Sequence, residues 1–217
     1  MRPNGQEKLM TERDETAARP TQRGRKIALR LLIASLLLGM PFVRSSFPHE
    51  ELHETLESVG MLLILIGILG RAWCTMHIGG QKFTELVDYG PFSISRNPLY
   101  VFSLIAAFGA GLQTGSILFA LIATCGVWLV IDLTVRREEA ALSGRFADAY
   151  AAYCARTPRY GLRLSSWRPQ NTIPVNMPLF YKTIVDGFLF FLIVPVAELI
   201  DWLQELGHLP VLLKLPF

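Results

Sequence analysis

Cysteine is scarce in this chain. Three cysteines occur among 217 residues, which is an odd number, and no two of them have Cys-x-x-Cys spacing. This pattern excludes a disulfide framework and gives no support to a zinc site. The four histidines are also scattered. His49 and His53 lie four residues apart and can share a helix face, but the sequence places no further ligands beside them, so no metal is expected.

Charge is scarce as well. Only 18% of the residues are charged and 51% are hydrophobic, with a mean hydropathy of +0.35. This composition is too apolar for an ordinary soluble domain of this size. The pI near 8.9 does not indicate nucleic-acid binding, because the basic residues flank apolar runs instead of forming one stripe. We therefore expect contact with membrane lipids and none with nucleic acid.

Four strongly apolar regions follow a polar beginning: 28–43, 55–69, 98–135 and 183–200. The third is about twice the length of one membrane span and is interrupted by the turn-like tetrad Gln113-Thr114-Gly115-Ser116, which predicts a helical hairpin. The sequence thus predicts an all-α, polytopic membrane bundle of about five transmembrane helices. A soluble helical bundle is the alternative. The shortest regions either extend past their apolar stretch or require a thinned bilayer.

The basic residues predict an orientation. With the N-terminus inside, the segments 1–30, 71–96 and 136–182 are cytosolic and hold 19 of the 21 Lys and Arg residues, as the positive-inside rule requires. We expect a multi-pass protein of the cell (inner) membrane with its N-terminus and the segments 71–96 and 136–182 cytosolic. Residues 1–27 read as a disordered tail. The first span reads as an uncleaved anchor and not a signal peptide, because no small-x-small cleavage site follows it.

The stretch 136–155 differs in kind. Its apolar residues recur at i, i+4, i+7 and i+11, at Leu142, Phe146, Ala149 and Tyr153. This spacing predicts that the fourth span continues as an amphipathic helix at the cytosolic surface. Glu138 lies one turn before Leu142, on the packed face where the helix leaves the membrane. A carboxylate there requires a partner.

The eleven residues GPFSISRNPLY stand directly before the hairpin. Asn97 is a favoured N-cap and Pro98 a favoured first helical residue, which accounts for the helix start but not for Arg96. A helix N-terminus with an arginine and a facing carboxylate can hold a zwitterion such as an amino-acid head group. Its carboxylate would contact Arg96 or backbone N–H groups, and its ammonium would contact Glu138.

The segment GPFSISRNPLYVFSL, followed by RREEAALSGRFADAYAAYCARTPRYGLRL, resembles the integral-membrane methyltransferases of the isoprenylcysteine carboxyl methyltransferase and phospholipid methyltransferase group. In those families Arg-His/Asn-Pro-x-Tyr precedes a helical hairpin. Glu-Glu-x-x-Leu, a Phe-Gly step, two spaced tyrosines and a Pro-Arg follow it. The resemblance covers about 60–163. The upstream AWCTMHIGGQKFTELV is similar to the bacterial branch nearer the isoprenylcysteine type.

The resemblance implies a cofactor, S-adenosylmethionine (SAM), bound at the cytosolic ends of the hairpin beneath the amphipathic helix. It implies cofactor contacts from four residues, namely Asn97, Tyr100, Glu138 and Glu139. It implies catalytic roles for Arg96 and Tyr100, and a pocket shaped by Tyr150, Tyr153 and Arg159. Two positions depart from the family pattern, since Asn97 stands where many members have His, and Phe146-Ala147 replaces Phe-Gly.

The expected organisation has four parts. These are the tail 1–27, the first two spans 28–72, the methyltransferase core 73–163, and a linker with the last span 164–217. Asp186 and Glu198 in the last part either meet the active site or face a helix interior, and the sequence favours neither.

The expected activity is methylation of a lipidic or membrane-embedded acceptor. A carboxylate acceptor is favoured, because an amine must lose a proton and the motif offers no histidine base. Three alternatives stay open. The chain could methylate phospholipid head groups at nitrogen, it could be an NADPH-dependent membrane reductase in which Arg136 and Arg137 hold the 2′-phosphate, or it could be a non-catalytic membrane protein. The sequence determines neither the acceptor nor the oligomeric state.

Overall fold

The structure is a computed structural model, and it describes residues 34–35, 38–45, 50–79, 85–209 and 213–215. Six helices have both ends among these residues: α1 Glu50–Ile78, α2 Pro91–Ile94, α3 Pro98–Leu112, α4 Ile117–Arg156, α5 Met177–Phe191 and α6 Ile193–Glu205. Short 3₁₀ turns occupy Met40–Phe42 and Leu164–Ser166, and β1 (Val43–Ser45) pairs in parallel with β2 (Leu213–Leu215). The all-α prediction is confirmed. The predicted tail 1–27 and half of the predicted first span 28–43 lie outside the described residues.

Within the part of the chain that the structure describes, three stretches of helix are long and apolar enough to cross a membrane: Glu51–Ile78, Ile117–Arg156 and Met177–Gln204. The hairpin's first arm, α3, is a shorter apolar helix of 15 residues. The helices extend well past their apolar stretches, since α1 has 29 residues where the apolar region 55–69 predicted a shorter element. This extension gives α1 the length needed to cross a bilayer, whereas the 15-residue α3 has no such extension.

The predicted hairpin turn is confirmed, because α3 ends at Leu112 and α4 begins at Ile117. The Ser116 side chain caps α4 by accepting from the Phe119 N–H at 3.2 Å, as serine commonly does at this position. Gln113 is buried and donates through Nε2 to the Glu57 carbonyl at 2.9 Å. The turn is therefore fastened to the first part of α1.

Small residues let α3 pack tightly between α1 and α4. A Cβ on Gly60 would lie 2.6 Å from the Gly109 carbonyl oxygen, and one on Gly67 would lie 2.6 Å from the Ala106 Cβ. Both distances are too short for any side chain. Close backbone approach is the usual basis of helix association in lipid, where burial against lipid tails gives no hydrophobic driving force.

The last apolar region forms two helices where the sequence predicts one span over 183–200. The break at Leu192 has a local cause, because Pro195 has no N–H to donate to the Phe191 carbonyl. Helix α5 contacts α1 through a hydrogen bond from Thr75 Oγ1 to Thr183 Oγ1 of 3.2 Å. Helix α6 instead packs with Ala197 and Ile200 against Met40.

Helix α4 confirms the predicted continuation of the fourth span, but it is kinked at Ala147, where φ is 36° and ψ is −110°. The kink changes which residues face inward. Tyr150 and Tyr153 are buried, whereas Ala149 is exposed. The placement of Ala149 on the packed face is therefore wrong, because the predicted periodicity assumed an uninterrupted helix.

The kink generates a prediction about stability. A non-glycine residue with positive φ is strained by about 1–2 kcal/mol, and a glycine there recovers more than its added unfolded-state entropy costs. We expect Ala147→Gly to stabilise the protein by about 0.5 kcal/mol and raise its Tm in detergent. The control is Ala149→Gly, on the exposed helix surface, which we expect to lower the Tm. A fall in Tm for Ala147→Gly would show that the kink is not strained.

Candidate functional site

The segment before α3 is held by the chain that follows α4. Three backbone N–H groups, those of Gly90, Arg96 and Arg163, donate across the gap to the carbonyls of Arg168, Pro158 and Ile94 at 2.8–2.9 Å. The buried Tyr153 hydroxyl donates to the Phe92 carbonyl at 2.7 Å. These bonds explain why a turn-forming polar segment precedes an apolar helix, since it closes against the end of α4.

The carboxylate of Glu139 is the electrostatic centre of this region, and the residue is only 8% exposed. It accepts from Arg159 through Nε at 2.9 Å and Nη2 at 2.7 Å. It also accepts from Asn97 Nδ2 at 3.1 Å and lies 3.5 Å from Arg96 Nη1. The hydrogen bond to Glu139 raises the pKa of Arg159. A buried carboxylate with these partners joins α4 to the start of α3.

Asn97 occupies the predicted N-cap position of α3, but its side chain does not cap the helix. Pro98 is the first helical residue, as expected, but the Asn97 side chain makes no capping hydrogen bond to any described residue. It donates to Glu139 and to the Arg159 carbonyl at 3.2 Å. The buried carboxylate competes successfully for the amide because a charged acceptor forms a stronger hydrogen bond than a carbonyl or a hydroxyl does.

A cleft of about 110 Å³ opens at the N-terminus of α3. The five residues that the sequence singles out all line it, although their individual roles stay predictions. They are Arg96, Asn97, Tyr100, Glu138 and Glu139. Apolar and aromatic side chains form much of the remaining wall, including Ile78, Val87, Phe92, Leu99, Leu142, Tyr150 and Tyr153.

Two groups of opposite charge face this cleft. Glu138 is partly exposed and accepts from the Tyr100 hydroxyl at 3.2 Å. Arg96 donates through Nη1 to Cys154 Sγ at 2.9 Å, while its buried Nε has no hydrogen-bond partner among the described residues. The sequence pattern placed Glu138 on the packed face. The structure buries its neighbour Glu139 more deeply and leaves Glu138 at the cleft.

The residues predicted to shape the pocket have different positions. Tyr150 lines the cleft directly, whereas Tyr153 lines it while its hydroxyl fixes α2. Arg159 is the main partner of Glu139. Glu198 belongs to α6, at the far end of the last span, and does not line the cleft.

Sequence reasoning missed a second polar pair, Asp132 and Tyr160. The Tyr160 hydroxyl donates to Asp132 Oδ1 at 3.0 Å, and Arg136 Nε donates to Oδ2 at 2.5 Å. Burial, together with the hydrogen bond to Asp132, raises the pKa of Tyr160. The sequence signal for this pair was Asp132 itself, an acidic residue one helical turn before Arg136 in an otherwise apolar run.

An apolar groove of about 330 Å³ lies next to this pair, between α1 and α3. Its walls are Leu63, Val101, Leu104, Ile105, Phe108 and Tyr160. Val101 directly follows Tyr100, so the groove begins one residue away from the lining of the cleft. Lining residues of the cleft and of the apolar groove are thus adjacent along the first turn of α3.

The phospholipid methyltransferase family matches residues 56–149 of this chain. This match agrees with the apolar helices and with the charged cleft at the start of a helical hairpin. The chain belongs to this family of membrane methyltransferases. It is 31% identical over 187 residues to the nickel-cobalt-cadmium resistance protein NccN of Alcaligenes xylosoxydans xylosoxydans, covering 86% of this chain and 87% of NccN.

A second relative is the cobalt-zinc-cadmium resistance protein CzcN of Cupriavidus metallidurans. It is 31% identical over 184 residues, which cover 85% of this chain and 83% of CzcN. No solved structure matches this chain.

The site geometry predicts different effects for the two neighbouring glutamates. Glu139→Gln leaves Arg159 and Arg96 without their counter-charge, and we expect it to destabilise the protein by about 2 kcal/mol, less than a fully buried pair because Arg159 is partly exposed. Glu138→Gln should stay within about 0.5 kcal/mol of wild type. Thermal unfolding in detergent, followed by tryptophan fluorescence, measures both. Equal losses from the two variants would contradict the structural role of Glu139.

Proposed function

We propose that this chain is an integral-membrane methyltransferase that uses SAM and methylates a lipidic acceptor. The observation that carries this proposal is the pairing of opposite charges in one cleft, where the Glu138 carboxylate and the buried Arg96 Nε flank the start of α3. Family membership supports the reaction class, and members of this family generally use SAM.

The donor set fits the head group of SAM. A zwitterionic amino acid needs an anionic partner for its ammonium and a cationic donor for its carboxylate, and Glu138 and Arg96 supply these. The cleft of about 110 Å³ is smaller than the ~300 Å³ at which typical ligand pockets begin. SAM would therefore have to widen the cleft or extend beyond it.

When bound, SAM supplies a methyl group on a positively charged sulfur that is its own leaving group. The protein's contribution is then mainly to position the reactants, which can supply ~7–11 kcal/mol of the barrier. Glu138 and Arg96 would fix the head group, and Tyr100 would hold the Glu138 carboxylate in place. Asn97 acts indirectly, because its amide is engaged by Glu139. The apolar wall would exclude water.

The acceptor is proposed to be lipidic because the apolar groove begins beside Tyr100. A hydrocarbon chain in this groove would place its polar end at the cleft. A carboxylate or another acceptor that is already nucleophilic fits best, since none of the described residues lining the cleft is a histidine that could take a proton from an amine. The names of NccN and CzcN specify no acceptor. Phospholipid head-group N-methylation is the runner-up.

The reductase alternative has less support. Arg136 was one of two candidate partners for the 2′-phosphate of NADPH, but it is engaged with Asp132. Arg137 alone, next to Glu138 and Glu139, would meet a doubly charged phosphate in an acidic setting. A SAM site is therefore the better proposal. The charge distribution along the chain supports a cytosolic cleft in the inner membrane.

Titration calorimetry on the detergent-purified chain tests the cofactor. We expect micromolar binding of SAM, no binding of NADPH, and at least tenfold weaker SAM binding in Glu138→Gln, because the ammonium loses its charged partner. Glu54→Gln removes the same charge from an exposed position on α1 and should bind SAM like wild type. Absence of SAM binding by folded wild-type protein would refute the proposal.

The groove is tested through the acceptor. We expect Ile105→Trp to fill the groove and reduce transfer of labelled methyl from SAM into extracted lipids at least tenfold, with unchanged affinity for SAM. Leu121→Trp adds the same bulk at an exposed position of α4 and should leave the transfer unchanged. If label accumulates normally in Ile105→Trp, the acceptor does not use this groove.

A further inference from the structure

A second polar cluster lies at the opposite end of the bundle. Near one end of α1, His77 lies against Gly90 in the segment before the cleft, since a Cβ on Gly90 would come within 2.2 Å of its ring. His53 lies 24 residues earlier on the same helix, which corresponds to about 36 Å at 1.5 Å per residue. The cluster around His53 is therefore separate from the candidate methyl-transfer site.

The cluster consists of His53 and Glu57, one turn apart on α1, and Asp201 on α6. His53 Nε2 lies 3.2 Å from Glu57 Oε1 and 3.5 Å from Asp201 Oδ2. The three potential ligand atoms all lie within 4.8 Å of one another. Two helices that are distant in sequence thus bring one imidazole and two carboxylates to a single point.

These distances are close to those of a metal centre. Ligands about 2.1 Å from a tetrahedral zinc ion are about 3.4 Å apart, so only the two carboxylates would need to move closer. The three side chains are 28–31% exposed, which leaves the point reachable from solvent. An ion bound there would keep room for water as an additional ligand.

The hairpin turn orients the imidazole. A Cβ on Gly115 would lie 1.9 Å from His53 Nδ1, so one edge of the ring lies against the turn while Nε2 faces the carboxylates. The same turn is fastened beside Glu57 by the hydrogen bond from Gln113. Ligand positions that are fixed before binding cost less to organise when the ion arrives.

The charge balance also favours a cation. Glu198 lies one turn before Asp201 and is close enough to act electrostatically on Glu57. The two carboxylates beside His53 Nε2, when ionised, carry more negative charge than one protonated histidine balances, and Glu198 adds a third acidic group nearby. A divalent ion would neutralise two of these charges and would accept the Nε2 lone pair.

We propose that His53, Glu57 and Asp201 form a binding site for a divalent transition-metal ion. The mixed imidazole and carboxylate ligands suit Zn²⁺, Co²⁺ or Ni²⁺ better than Mg²⁺ or Ca²⁺, which prefer oxygen ligands. A metal site was not expected from the sequence, because Asp201 is remote from His53 along the chain. His49, the other histidine considered, lies outside the described residues. The inference does not rest on the proposed methyltransferase activity.

The test is Co²⁺ titration of the full chain in detergent, stripped of metal and followed by the visible absorption bands of the bound ion. We expect one bound ion per chain, with bands typical of nitrogen and oxygen ligands, and displacement by Zn²⁺ but not by Mg²⁺. His53→Gln and Asp201→Asn should each weaken binding at least tenfold. His208→Ala, which removes an exposed histidine after α6, is the matched control and should bind like wild type.

Two results would overturn the proposal. One is the absence of Co²⁺ binding by folded wild-type protein, in which case a protonated His53 bridges the carboxylates. The other is unchanged binding in Asp201→Asn. Thermal unfolding without metal verifies that each variant is folded, and Glu57→Gln replaces any variant that is not.

Discussion

The buried carboxylate of Glu139 is the interaction on which the rest of the site depends. An ionised group so little exposed is costly unless it is paired and fully hydrogen-bonded, and its partners come from two segments on either side of the hairpin. Arg159 follows α4, while Arg96 and Asn97 precede α3. Satisfying this one charge therefore brings the end of the amphipathic helix against the start of the hairpin. The cleft is the space that this closure leaves beside Glu138 and Tyr100.

The two adjacent glutamates, Glu138 and Glu139, have different roles in this arrangement. Glu139 is buried and paired with Arg159, Arg96 and Asn97. Glu138 remains partly exposed at the cleft, with Tyr100 as its hydrogen-bond donor. Charged side chains are likewise concentrated at the two ends of the bundle. Between these ends, small residues such as Gly60 and Gly109 allow close helix packing. The cleft lies at one end of the bundle and the His53 cluster lies at the other.

Much of this could be predicted from the sequence, because apolar run lengths and turn residues are local signals. The hairpin turn at Gln113–Ser116 and the extension of the fourth helix beyond its apolar stretch follow from them directly. The features that could not be predicted depend on tertiary structure. Periodicity could not foresee the kink at Ala147, which moves Ala149 outward, nor that Asn97 would bind Glu139 instead of capping its helix. The pairing of Asp132 with Tyr160, and of His53 with Asp201, depends on tertiary contacts that no spacing reveals.

The central claim is that an amino-acid head group binds between Glu138 and Arg96. The most direct measurement is an experimental structure of the chain in lipid with saturating S-adenosylhomocysteine, the demethylated product. The account predicts ligand density at the first turn of α3, with the ammonium beside the Glu138 carboxylate and the carboxylate beside Arg96. Density at another place, or an empty cleft with the product bound elsewhere, would contradict it.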